Sequence, residues 1–218
     1  MLYVFDAYGT LFDFNAAIGR YRAAAGPEAD RFSEIWRQKQ IEYTWIHTLA
    51  DRYVDFWTLT QRALDFTFER VPSVDRRLRG DLLDCYFKLD AFPDAKSVLE
   101  TLNSRGDRIA ILSNGTPSML AAAVSAAGLA ALLDAVLSVD AIQMFKPRSE
   151  VYALVTRHFS IAPAEVTFVS SNRWDAMGAT AFGFRTFWVN RAKAPAEYGD
   201  FPPAATAADL TDVLSLAR

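Results

Sequence analysis

The sequence predicts a doubly wound, Rossmann-like α/β fold: a parallel sheet between helix layers, with a helical cap inserted after the first strand. Three observations lead there. Short apolar runs ending in a small or polar residue recur along the chain. Helical stretches that close on glycine lie between several of them. One region, from about Asn15 to Lys88, breaks this rhythm with amphipathic, aromatic-rich segments and no strand. Unbroken rather than alternating hydrophobicity suits strands buried on both faces, the condition of a parallel sheet.

The first run, Leu2-Tyr3-Val4-Phe5, ends at Asp6. Phe32 to Leu49 and Tyr53 to Val71 are the amphipathic stretches of the inserted region. The first strand precedes that region and its partners follow, so the insertion reads as a cap over the carboxyl ends of the strands, where open α/β sheets bind ligands. The chain therefore divides into a core of residues 1–14 and 89–218 and a cap of residues 15–88. In Asp94 to Arg105, the residues Ala95, Val98, Leu99 and Leu102 share one helical face and Gly106 offers a stop. Ile109 to Leu112 reads as a strand, Ser118 to Ala127 as an Ala-rich helix closed by Gly128, and Ala135 to Val139 and Val166 to Val169 as buried strands. Asp175 to Phe182 is a helix that ends at Gly183 and leads into the strand Thr186 to Val189. Repeated helix-Gly-strand units imply right-handed crossovers. The Ala/Pro-rich stretch Ala192 to Ala208 reads as a surface connection before a last helix.

Composition narrows the function. The chain has 218 residues, 51% of them hydrophobic and 22% charged, enough for one large domain or for a core with an insertion. Its 23 Lys+Arg against 26 Asp+Glu leave a net charge of -3, which offers nothing to nucleic acid or an anionic membrane. Cys85 is the single cysteine, so an internal disulfide and a Cys-rich zinc site are excluded, and a reducing compartment fits. His47 and His158, the only histidines, lack metal-ligand spacing and read as surface or helix residues. No apolar run approaches the roughly 20 residues that span a bilayer. The chain opens on a strand-like segment with no cleavable leader, which points to the cytoplasm.

The chemistry concentrates in Phe5-Asp6-Ala7-Tyr8-Gly9-Thr10. A carboxylate closing a buried apolar strand is costly unless something stabilises it, and carboxylates serve as nucleophiles. The alternative is an aspartate that only caps a turn. Three more segments place polar groups at or just beyond parallel strand ends: Ser113-Asn114-Gly115, Phe145-Lys146-Pro147, and Ser170-Ser171-Asn172 followed by Asp175. Such strand ends converge on one crevice, so all four segments can meet.

Taken in order, these four motifs resemble the haloacid dehalogenase superfamily, and within it the (S)-2-haloacid dehalogenases. Phe5 to Phe12 and Trp36-Arg37-Gln38-Lys39-Gln40 add to the likeness, which covers nearly the whole chain. Phosphatases of the superfamily carry a second aspartate two residues after the nucleophile, as the acid for the leaving alcohol; here that position is Tyr8. A halide leaves without protonation, so Tyr8 suits carbon–halogen cleavage and damages phosphate ester hydrolysis, where losing the proton donor costs roughly 100-fold or more. The fourth motif, with Asp175 as its only carboxylate, makes a poor magnesium cage beside Asp6.

The resemblance thus implies no metal and no cofactor, with Lys146 supplying the positive charge. It implies Asp6 as the nucleophile on C2 of a small-molecule 2-haloacid, and water attack on the resulting ester with Asp175, Asn172 and Lys146 assisting. Thr10 and Ser170 would orient Asp6 and Lys146. Arg37, Asn114 and Phe56 would receive the halide; Ser113 and the backbone near Tyr8 and Leu11 would hold the substrate carboxylate; Tyr152 and Trp174 would line the site. Arg37 has the alternative of a surface ion pair, and Phe56 and Trp174 that of plain core residues. The family is commonly dimeric, and the aromatics of Tyr43 to Trp57 exceed what a small cap buries alone, so a homodimer is implied. Two other readings stay open: a superfamily phosphatase or a phosphonatase using Lys39 or Lys88, and a non-catalytic binding protein on the same scaffold.

Overall fold

The computed structural model describes residues 1–216; the last two positions of the expected core lie outside the described residues. Six parallel strands form one sheet: β1 (Leu2–Phe5), β2 (Arg108–Ser113), β3 (Ala135–Ser138), β4 (Val166–Ser170), β5 (Arg185–Val189) and β6 (Ala205–Ala207), in the order β3-β2-β1-β4-β5-β6. Strand order reverses between β1 and β4, which opens a crevice at their carboxyl ends. All four residues of β1 are buried, and Leu2 to Phe5 pair with Arg108 to Ile111 on one side and Val166 to Val169 on the other. Each large apolar side chain so buried contributes roughly 1.5–3 kcal/mol.

Five helices follow β1: α1 (Ala16–Arg20), α2 (Arg22–Ala25), α3 (Ala29–Leu49), α4 (Phe56–Arg70) and α5 (Arg79–Phe87). Asp55 starts α4 by accepting a hydrogen bond from Thr58 N, an N-cap that satisfies an orphan donor. The two chain crossings into this helical insertion lie side by side, with Asp13 N donating to Asp90 O at 2.9 Å and Phe92 N to Leu11 O at 2.8 Å. Core helices α6 (Ala95–Ser104), α7 (Pro117–Ala126), α8 (Ser149–Phe159), α9 (Arg173–Phe182) and α10 (Leu210–Leu216) complete the chain. Gly106, Gly128 and Gly183, beyond α6, α7 and α9, all take positive φ, as stops of this kind require.

Three expectations change. Ala135 to Val139 is not buried on both faces: β3 is the edge strand, its Val136 is 40% exposed, and Val139 already belongs to a 3-10 turn. The stretch Ala192 to Ala208 is more than a connection, because Ala205–Ala207 pair with Phe187 to Val189 as β6. Three small residues give no periodicity to read. Finally, α9 begins at Arg173, two residues before Asp175, with Asn172 as its N-cap.

Candidate active site

Asp6 leaves the end of β1 and is fixed there by donating its backbone N–H to Val169 O. Asp6 is 6% exposed, and its carboxylate is satisfied from three directions. Lys146 Nζ donates to Oδ1 at 3.0 Å; Thr10 Oγ1 and Asn172 Nδ2 donate to Oδ2 at 3.1 and 2.7 Å. Thr10 is locked in turn by Ser171, whose backbone N–H donates to Oγ1 at 2.8 Å. A buried charge so surrounded escapes the cost of isolation.

Lys146 is the centre of a layer beneath Asp6. Its ammonium lies between Asp6 and Asp175, 2.8 Å from Asp175 Oδ2, and its side chain has no solvent exposure. Asp175 also accepts from Ser170 Oγ at 3.0 Å and, through Oδ1, from Tyr152 OH at 2.8 Å. Gly178 allows this approach: a Cβ there would stand 2.5 Å from Tyr152 OH. Burial works against the lysine charge, but the carboxylates of Asp175 and Asp6 together outweigh it and hold the ammonium above its ordinary value. Burial pushes Asp175 up to about 6, against the pull of Lys146. The asymmetry is physical, since the ammonium faces two carboxylates while Asp175 faces one ammonium and, across it, another anion.

Above Asp6 lies a small chamber lined by Asp6, Tyr8, Arg37, Phe56, Asn114 and Trp174, with Ile41, Ser113 and Asn172 closing it. Its volume is about 10 Å³, close to the roughly 10–15 Å³ that admits one water. Arg37 reaches down from α3, NH2 donating to Tyr8 O at 3.2 Å and Asn172 Oδ1 at 3.4 Å. Gln40, one turn on, accepts from Arg37 NH1 and Tyr86 OH and donates to Thr60 Oγ1. Among the described residues Arg37 has no carboxylate partner, so the surface ion pair is not its role. The Tyr8 ring is wedged between Phe56 and Tyr86, and burial raises its phenol well above the ordinary range, so it stays neutral.

The structure therefore gathers all four motifs and Arg37 at one point, with several differences from expectation. Ser170 donates to Asp175 rather than holding Lys146. Tyr152 does not line the chamber; it is fully buried below, under Asp175. Leu11 is core, and its backbone N–H is already bonded to Ala7 O, leaving nothing for a substrate carboxylate. Asn114 uses Oδ1 to accept from Lys146 N, so only its amide nitrogen is free to face a ligand. The aromatics between Tyr43 and Trp57 mostly find partners within the chain: Trp45 on Trp174, Tyr53 and Phe56 on Phe145, Trp57 on Phe87. Ile46 and Leu49 are the large apolar residues of α3 left exposed. Sequence reasoning missed Gln40 and Ile41, although both follow Arg37 at helical spacing.

A divalent ion does not fit this donor set. The place between the two carboxylates is taken by the lysine amine, and no group of three or more His, Cys, Asp or Glu suited to a metal occurs among the described residues.

A parallel sheet with strand-end carboxylates under an inserted helical lid defines a class, and residues 1–183 match the family model of haloacid dehalogenase-like hydrolases. The chain is 44% identical over 214 residues to (S)-2-haloacid dehalogenase 1 of Pseudomonas sp. (strain CBS-3), covering 98% of this chain and 94% of the relative. It is 45% identical to (S)-2-haloacid dehalogenase 4A of Burkholderia cepacia, covering 92% and 87%. The L-2-haloacid dehalogenase of Xanthobacter autotrophicus, solved with chloropropionic acid covalently bound, superposes with a TM-score of 0.87 at 37% identity, covering 100% of this chain and 98% of that one. The chain belongs to the (S)-2-haloacid dehalogenase family of these hydrolases.

Proposed function

We propose that this protein hydrolyses (S)-2-haloalkanoic acids to (R)-2-hydroxyalkanoic acids through an ester on Asp6, with no metal ion. The observation that carries this reading is the Lys146 ammonium seated between Asp6 and Asp175, with neutral Tyr8 where an acid for an alcohol leaving group would stand. An Asp6 oxygen attacks C2 from the side opposite the halogen; the C–O bond forms as the C–X bond breaks, inverting the carbon. Arg37 and the Asn114 amide donate to the departing halide against the Phe56 ring. The Ser113 hydroxyl holds the substrate carboxylate.

Ester formation removes the charge of Asp6 and leaves the ammonium to Asp175 alone. Water then attacks the Asp6 carboxyl carbon, positioned by Asn172. One of its protons passes to Asp175, which returns it to the alkoxide as that leaves Asp6, and the other is released to solvent as the Asp6 carboxylate is restored. Thr10 holds Asp6, while Ser170 and Tyr152 hold Asp175; these three position and do not touch substrate. Phosphate ester hydrolysis fits less well, because an alkoxide needs the acid that Tyr8 cannot supply.

In this reading residues 15–88 act as a cap hinged at the paired crossings, and residues 1–14 and 89–218 as the catalytic core. A homodimer through the exposed Ile46 and Leu49 face of α3, working in the cytoplasm, completes the proposal. No helix of the described residues is long and apolar enough to cross a membrane. The deciding experiment incubates the protein with racemic 2-chloropropionate in chelator. Halide release that consumes the (S)-enantiomer and yields (R)-lactate, absent in Asp6→Asn, is the expected result. Metal-dependent turnover of a phosphate ester with no halide release would sink the reading.

A further inference from the structure

A second cavity lies next to the chamber. It is apolar, has a volume of about 360 Å³, and shares Trp174 with the chamber. Helix α3 passes along both: Arg37 and Ile41 face the chamber, while Trp45 and Leu49 line the outer cavity. This spacing of four keeps the residues on one helical face. Trp45 and Trp174 meet edge to face with centroids 5.5 Å apart, Trp174 lining both spaces and Trp45 the outer one. The Trp45 Nε1 is buried and has no partner among the described residues. Packing alone holds that ring, so swinging it aside breaks no hydrogen bond.

A 2-haloalkanoate bound for attack at C2 has its carboxylate and halogen held by polar donors. The alkyl tail is the one group left to place, and the chamber, at one water's volume, cannot contain a long one. Phe145, Pro147 and Met177 supply carbon surface on the outer side. We propose that this outer cavity is the subsite for the tail of longer (S)-2-haloalkanoates and that Trp45 sets the chain length admitted. The proposal rests on the dehalogenase reading above and deepens it.

The test compares kcat/KM for (S)-2-bromopropionate and (S)-2-bromohexanoate in the wild type, Trp45→Ala, Trp45→Phe and Met177→Trp. A ratio of hexanoate to propionate cancels losses of folded protein. It rises roughly tenfold or more in Trp45→Ala and falls by about as much in Met177→Trp, since even one methylene in an apolar pocket is worth about tenfold. Trp45→Phe keeps the ratio near that of the wild type. An unmoved ratio in Trp45→Ala or in Met177→Trp, with bromopropionate still consumed, overturns the tail subsite. A wild type that releases bromide from neither substrate removes the dehalogenase reading and the subsite with it.

Discussion

The two sides of Asp6 are built to different standards. Below it, Lys146, Asp175, Ser170 and Tyr152 are fully buried, and the hydrogen bonds onto the Asp6 and Asp175 carboxylates from Lys146, Ser170 and Tyr152 run from 2.8 to 3.0 Å. Above it, Arg37 comes from a separate set of helices and touches Tyr8 and Asn172 at 3.2 and 3.4 Å. On the proposed function the lower side is preorganised, since charges already aimed at the Asp6 carboxylate need no rearrangement during the reaction. On the same reading the upper side parts to admit a substrate larger than one water, and its long, few contacts suit that duty.

Removing a charge from each side breaks this contrast most sharply. Lys146→Met leaves two carboxylates buried without their cation and costs about 3–5 kcal/mol of stability, along with turnover; urea unfolding and halide release measure both. Arg37→Gln lowers halide release by roughly 10²–10³-fold, the scale of losing one preorganised donor, but shifts unfolding by less than about 1 kcal/mol. Equal stability losses in the two variants would erase the distinction.

Asp175 sharpens the picture through pH. With its carboxyl raised to about 6, turnover is expected to fall tenfold for each unit of pH below that value, because in the proposed mechanism its carboxylate form takes the proton. Stability moves the other way. Between 3.8 and about 6 the folded chain binds more protons than the unfolded one, so this group's contribution to stability declines as pH rises through that window. Tyr152→Phe removes a hydrogen bond that favours the carboxylate, and the acid limb of the rate profile moves upward. A profile flat from pH 5 to 8 would remove Asp175 from the proton path. The smallest effect is Tyr8→Phe, where halide release stays within about tenfold of the wild type, below the 10²–10⁴ of a lost general acid.

Much of this site is visible in the sequence, for a topological reason. Parallel strands end on the same side, so Asp6, Ser113 and Ser170 at three strand ends converge whatever lies between them. The lower layer is less visible. Tyr152 projects from α8 under Asp175, and nothing local to that helix distinguishes a tyrosine touching substrate from one touching a catalytic carboxylate. For the same reason the sequence does not distinguish Asp175, the partner Ser170 has, from Lys146, since the two lie a single contact apart. Gln40 and Ile41 depend on how α3 crosses the core, a long-range packing outcome. At the sheet edges, β6 is too short for its pattern to register, and β3 has the apolar composition of a buried strand without its surroundings.

The central place of β1 has a consequence for biogenesis. The first strand synthesised gains its two neighbours only as residues beyond 108 and then 166 emerge, and the bracing of its aspartate by Thr10 and Lys146 is completed only when Asn172 arrives. Pairings this distant in sequence raise contact order and slow folding. A nascent or truncated chain that stops short of β4 therefore carries Asp6 and Lys146 without the second neighbour of β1, without Asn172 and without the Asp175 partner of that lysine.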